Sequence, residues 1–434
     1  MIDLLERAFY NVNMDALRKL SLLGEQMGLE PAEEADSISR PQGHADPNAV
    51  APCGSSPAEL RRLLPSPVAV SSDGGRAGDR GRGEGQKFSP IHQAVMPGGK
   101  RIALLKTLLT SACERDCYYC PFRARRNFRR ATFKPEEMAQ TFAQMNHAGV
   151  AEGLFLSSGI AGGGVCTQDK LLDTVDLLRR RHAFRGYVHL KIMPGSERDQ
   201  VLRAMQLADR VSINLEAPNT ARLAKLAPHK VFMEELLQPL QWADEIRRTL
   251  SPEKTFKNRW PSTVTQFVVG GVGESDLEIL TTTQYVTRQL RLQRVYFSAF
   301  NPVRDTPLEN NAPENPWREH RLYQASFLLR DYGFDLEEMP FAPDGHLPLD
   351  VDPKLGWAQM NLRERPIEVN RADRRELLRV PGIGPQGAEA ILAARRVGKL
   401  RDLRDLRALG VLAARAAPFV LLDGRMAAQQ WRLF

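Results

Sequence analysis

The spacing of apolar positions divides the chain into three rhythms. Over residues 1–35, Leu4, Leu5, Phe9, Leu17 and Leu20 recur at roughly helical intervals, which predicts one or two amphipathic helices. Residues 41–86 are dominated by Gly, Pro, Ser and Ala and end in DGGRAGDRGRGEGQ. Such a composition buries too little apolar surface to offset ordering and reads as an irregular segment, broken by a short helix at SPAELRRLL. From Arg101 onward, short runs of apolar and β-branched residues alternate with segments of helical period. The expected strands are RIALLKTLLT, GLFLSS, YVHLKIMP, RVSINLEA, TVTQFVVGG and RVYFSAFNP, separated by helices such as PEEMAQTFAQMNHAG and TQDKLLDTVDLLRRRH. Repetition of strand, helix, strand implies parallel pairing, because parallel neighbours need a crossover. Six units predict an α/β fold, an incomplete (βα)6 barrel, with a doubly wound open sheet as the alternative; either places chemistry at the C-terminal ends of the strands.

Beyond Phe334 the pattern decays into a proline-rich connector, after which VNRADRRELLRVPGIGPQGAEAILAARR reads as helix, tight turn, helix. Asn370 is placed to cap the first helix, Leu377, Leu378 and Val380 form its apolar side, Pro381 stops it, and Ile383 plugs the space between the helices. KLRDLRDLRALGVLAARAAPFVLL predicts a third helix and a degenerate second turn around Leu409 to Val411. The expected organisation is an N-terminal helical and low-complexity region (1–95), the barrel (96–335), a linker (336–365) and a small all-α domain (366–434).

Composition sharpens this picture in two places. The chain has 434 residues, 42% of them hydrophobic, enough for one large domain and at least one small one. No apolar run reaches membrane-spanning length and MIDLLERAFYNVNMDALRKL interleaves charge with its apolar positions, so neither a membrane span nor a secretory signal is expected, and the location reads as cytoplasmic. Five cysteines, three of them within eight residues, favour metal or redox chemistry in a reducing compartment over a disulfide framework. The formal charge is +8, and +7 of it lies in residues 363–434, which points to a polyanionic partner for the tail.

Cys113, Cys117 and Cys120 form C-x3-C-x2-C directly after the first predicted strand. Three thiolates on one loop bind three irons of a cubane and leave the fourth iron bare, whereas an electron-transfer cluster normally has four cysteines and a structural zinc four closed ligands. Neither Cys53 nor Cys166 has a partner at ligand spacing. With Tyr119 before the last cysteine, the motif resembles that of the radical SAM superfamily. The resemblance implies a 4Fe-4S cluster whose open iron chelates S-adenosyl-L-methionine, reductive cleavage to a 5′-deoxyadenosyl radical, and an electron donor such as flavodoxin or ferredoxin. It also implies cofactor contacts from Tyr119; from Ser157 or Ser158, where SSGI replaces the family's Gly-Gly-Glu; from Ser212, Asn214 and Glu216 of SINLEAP; and from Gly270, Gly271 and Gly273 of VVGGVGESD. The bland reading of Ser212, Asn214 and Glu216 is a structural hydrogen-bond network.

PFRARRNFRRATFK places Arg125 and Arg126 among six cations behind the cluster, either gripping phosphates at the barrel mouth or forming a solvated charge run. Gly382, Ile383 and Gly384 resemble the turn of the helix-hairpin-helix motif, whose backbone amides grip a DNA phosphate without reading bases; the alternative is a helical packing module. The combination resembles radical SAM proteins assigned to DNA modification or repair. That resemblance implies nonspecific DNA binding by the tail and hydrogen abstraction from a nucleotide in the barrel. The alternatives are an RNA-modifying enzyme and a noncatalytic DNA-binding iron–sulfur protein.

Overall fold

The computed structural model describes residues 14–27, 90–95 and 100–426. Leu4, Leu5 and Phe9 and the low-complexity expectations for residues 41–86 lie outside the described residues. The first helix, α1 (Met14–Met27), buries Ala16, Leu20 and Leu23, and its Lys19 pairs with Glu137 at 2.8 Å.

The centre is a seven-stranded sheet in strictly sequential order. Its strands are β1 (Ile91–Val95), β2 (Arg101–Leu108), β3 (Gly153–Ser157), β4 (Tyr187–Lys191), β5 (Arg210–Ser212), β6 (Ser262–Val269) and β7 (Arg294–Ala299). All six predicted strands are present and mutually parallel, while β1, ahead of the predicted domain start at residue 96, adds antiparallel to β2. A doubly wound sheet reverses its strand order at a switch point; this order never reverses, so the open sheet is a curled half-barrel. The crossovers are α2 (Pro135–His147), α3 (Gly164–Arg180), α4 (Arg198–Leu207), α5 (Thr220–Leu226) with α6 (Gln238–Thr249), and α7 (Asp276–Arg288).

SINLEAP departs from expectation. The strand ends at Ser212, and Glu216 takes a left-handed conformation with φ +65°, bonding back to β6 through Gln266 O and Val268 N. At the far edge, α8 (Pro316–Asp331) covers β7: the Tyr323 hydroxyl accepts from Phe297 N–H at 3.0 Å and donates to its carbonyl at 3.1 Å. Satisfying those edge groups removes a template for strand addition. Helix α8 runs back along the sheet to its N-terminal end, where Arg330 donates to Gln293 O, just ahead of β7.

A second core begins with α9 (Pro353–Asn361) and contains Leu377, Leu378, Ile383, Ala388, Ile391 and Leu406. It is built from β8 (Ile367–Glu368), α10 (Arg374–Arg379), α11 (Pro385–Ala394), α12 (Leu403–Ala408), α13 (Ala413–Ala416), β9 (Val420–Leu422) and β10 (Arg425–Met426). The expectation of an all-α domain is therefore corrected, since β10, β9 and β8 form a three-stranded sheet. The cap of α10 is also corrected: Asp373 accepts from Glu376 N–H, while Asn370 makes two 2.9 Å bonds with Leu400. This module joins the barrel at the lower end of α8, where Arg379 donates to Tyr332 O and Gly333 O and pairs with Glu338 at 2.6 Å. Tyr332 and Trp357 pack against both cores.

Candidate cofactor site

Residues following β2 carry the three cysteines, at the C-terminal end of the sheet as in other βα barrels. Two neighbouring segments hold the loop. On the β3 side, Glu114 N–H donates to Ile160 O at 2.8 Å, and the Glu114 carboxylate accepts from Gly162 and Gly163 N–H. On the other side, Tyr118 N–H donates to Leu226 O at 2.8 Å, while Arg115 reaches Glu235 at 2.6 Å and the His229 carbonyl. Gly159 sits where the loop crosses β3; a Cβ there overlaps the Ala112 carbonyl, its carbon 2.9 Å away, and lies 3.2 Å from Cys113 Cβ.

Cys117 is buried, and Cys113 and Cys120 are half-buried. Cys113 Sγ accepts from Ile160 N–H and Cys120 Sγ from Phe122 N–H, both at 3.4 Å. Amide donors of this kind tune cluster thiolates. Burial pushes the Cys117 thiol up, with Lys230 pulling the other way. Among the described residues no three His, Cys, Asp or Glu side chains converge on one point for a single ion. A cubane makes no such demand, because its three thiolates bind different corners, and the donor set fits that group.

Sequence reasoning missed Lys230. Its ammonium pairs with Glu216 at 2.9 Å, both side chains being under 10% exposed. Burial opposes the Lys230 charge, but Cys117 and Glu216 outweigh it and hold the group above the ordinary lysine range. Tyr119 shares this cluster: burial and the Glu216 charge raise its phenol, which is hydrogen-bonded to that carboxylate. A buried cation thus stands beside the thiolates, where negative charge accumulates. Nothing in the local pattern marked it, since a single lysine after a short helix carries no period or motif.

The other expected contacts are placed as follows. Ser212 meets His189 at 2.9 Å and Asn214 accepts from Lys191 at 2.5 Å, so both take part in a protein hydrogen-bond network. Ser157 and Ser158 are buried at the end of β3, and the Ser158 hydroxyl donates to Gly159 O at 2.7 Å. Gly270 and Gly273 have φ of +86° and +71°, and with Gly271, Asn311 and Glu314 they line an open recess of about 480 Å³ after β6. Phe297 stacks on Phe267 and meets Tyr323 of α8 edge-on, which makes it a core residue.

The arginine run is mostly structural mortar. Arg130 donates to Ser111 O, Phe122 O and Arg123 O, and Arg126 to Pro121 O and Arg304 O. Arg125 is exposed, with φ +66°. In the C-terminal module, Gly382 has φ +87° and its Cβ position lies 2.5 Å from Leu412 O, so glycine is required where the two turns meet. Ile383 is buried as expected.

The radical SAM superfamily model matches residues 107–286, and that segment is a radical SAM superfamily domain. Such a domain implies a 4Fe-4S cluster and S-adenosylmethionine, and Cys113, Cys117 and Cys120 are consistent with its cluster motif. Among solved structures, methylornithine synthase (PylB) is 15% identical over 54% of this chain and 63% of its own, with a TM-score of 0.42. The FeFe-hydrogenase maturase HydG from Carboxydothermus hydrogenoformans is 14% identical over 52% and 51%, at 0.41. The radical S-adenosylmethionine methyltransferase TsrM from Kitasatospora setae is 14% identical over 48% and 38%, at 0.36. The chain spans less than two thirds of the length of each. No curated protein matches it in sequence. No helix among the described residues is long and apolar enough to cross a membrane.

Proposed function

We propose that the protein is a radical SAM enzyme that modifies or repairs DNA, its C-terminal module holding the duplex without reading bases. The observation that carries this reading is the doubled helix–turn–helix of the module. The turn at residues 380–384 bonds to the turn at residues 409–412 through Leu412 N–H to Gly382 O at 3.0 Å, in a segment with a formal charge of +7. When bound, the cluster and S-adenosylmethionine supply a 5′-deoxyadenosyl radical that removes a hydrogen atom from the substrate. The chain's own residues hold that chemistry in place. Cys113, Cys117 and Cys120 would ligate the cluster; Lys230 would balance thiolate charge; Glu216, itself bonded by Tyr119, fixes Lys230; Gly270, Gly271 and Gly273 would let backbone approach the cofactor. Arg125 lies exposed behind the cysteines, available to a phosphate, and a target base leaves the stack to reach the mouth. Radical SAM enzymes need an electron donor, and a flavodoxin or ferredoxin fits this one.

The test is anaerobic reconstitution, reduction, and incubation with duplex DNA or with RNA, followed by measurement of 5′-deoxyadenosine and mass spectrometry of the nucleosides. DNA-stimulated release with a mass-shifted deoxynucleoside is the expected result. Stimulation by RNA alone reassigns the polymer, and failure of the loaded protein to cleave S-adenosylmethionine favours the noncatalytic reading.

A further inference from the structure

The carbonyl side of the turn expected to grip phosphate is engaged by the protein itself. Lys354 of α9 donates to Ile383 O at 2.6 Å and lies over the Tyr332 ring at 4.6 Å. A Cβ on Gly384 meets the Tyr332 hydroxyl at 3.4 Å, and one on Gly382 meets the second turn. Nearby, Arg415 pairs with Asp352 and Arg379 with Glu338. The glycine turn therefore lies at the joint between module and barrel, with its neighbouring cations already paired.

The opposite pole is different. Helix α11 carries the chain about 15 Å from Gly384 to Arg395. There Arg396, Lys399, Arg401 and Arg425 are all exposed, and Val397 between them is 93% exposed. Lys399 pairs with Asp423 at 2.8 Å, while Arg396, Arg401 and Arg425 make no ion pair among the described residues. Asp423 is held below the usual carboxylate range first by its bond from Lys399 and then by the charges of Lys399, Arg401 and Arg425, which places three cations around one acid. Their backbone is ordered in advance. Glu368 accepts from Asp423 and Gly424 N–H at 3.3 and 2.7 Å, pinning the β9–β10 turn, and the paired bonds between Asn370 and Leu400 pin the loop after α11. Preorganised, solvated cations in excess of the single acid beside them are what a phosphodiester backbone neutralises.

We infer that the DNA-binding surface of the module is this pole, formed by Arg396, Lys399, Arg401 and Arg425, and that the glycine turn serves as the joint to the barrel. The inference rests on the DNA reading above and specifies its surface. The test uses the full-length protein, a duplex of about 25 base pairs and fluorescence anisotropy across a salt series. Replacing all four residues by Ala is expected to lower affinity at least tenfold and flatten the log–log salt slope by about three. Gln386→Glu, an exposed position in the first turn of α11, is expected to bind as wild type. If Gln386→Glu weakens binding and the fourfold variant does not, the glycine turn grips the phosphate and the inference is overturned while DNA binding stands. If the wild-type protein shows no salt-sensitive affinity for duplex, the DNA reading itself falls and takes the inference with it. Unchanged melting and iron content in both variants exclude unfolding as the cause.

Discussion

Gly159→Ala tests the architecture of the cysteine loop without touching a ligand. The added methyl overlaps the Ala112 carbonyl and lies 3.2 Å from Cys113 Cβ, closer than nearly all real Cβ contacts. Clearing the oxygen needs a backbone shift on the order of 1 Å, and overpacking of that kind costs about 1–3 kcal/mol. The shift also strains Gly159 N–H to Thr110 O (2.7 Å) and Glu114 N–H to Ile160 O (2.8 Å), each contributing about 1 kcal/mol. A total of about 3–5 kcal/mol lowers the melting temperature by roughly 6–20 °C, at about 2–4 °C per kcal/mol in a domain of this size. The cost falls on the segment that aims Cys113, so anaerobic reconstitution is expected to yield less iron and sulfide per chain, with a weakened low-temperature electron paramagnetic resonance signal after reduction. Gly162→Ala is the control, because its Cβ position meets nothing within 4 Å and only the positive φ opposes it. Wild-type iron content and melting in Gly159→Ala would show that the loop does not depend on this crossing.

Three further outcomes follow from the same geometry. Cys166 is exposed on α3, so Cys166→Ser is expected to keep full iron content, while Ser at Cys113, Cys117 or Cys120 abolishes the reducible cluster signal. Arg379, buried against Phe334 and Trp357, serves two carbonyls and Glu338; Arg379→Ala is expected to cost about 3–5 kcal/mol and expose the joint to limited proteolysis, with Lys recovering only part because it loses the fork. Burial lowers the Lys354 ammonium from 10.5 to about 7. Between those values the unfolded chain binds the extra proton, so this group makes stability rise with pH from about 7 toward 10.5. Lys354→Met should remove that rise from a pH series of thermal melts, and an identical pH dependence in the variant counts against the assignment.

The parallel strands were legible because each is a short, nearly continuous apolar run between helices of clear period, and the cysteine loop because its spacing is local. What escaped was non-local. SINLEAP reads as one strand by alternation, yet Glu216 is drawn into a left-handed turn by bonds to β6, and no periodicity reports φ. Lys230 acquires meaning only when residues 226–235 fold over the cysteines. The two- and three-residue strands β8, β9 and β10 are too short to show alternation beside alanine-rich helices. Asn370 and Asp373 are both good caps, and a contact thirty residues away with Leu400 decides between them. Arg126 and Arg130 look like free charge in a one-dimensional string, whereas the loop's curvature turns them onto its own carbonyls.

Docking of the module at the lower end of α8 sets a length scale. The cysteines stand at one end of the half-barrel and the joint at the other, separated by a sixteen-residue helix of about 24 Å. On the DNA proposal, a duplex running from the cysteine end to the module's cationic pole beyond the joint would bridge more than that distance, over about seven base pairs at 3.4 Å each. On that proposal the molecule would work as a caliper, with one jaw holding unreacted helix at the module and the other closing on a distant nucleotide, and oligonucleotides shorter than that gap would engage only one jaw.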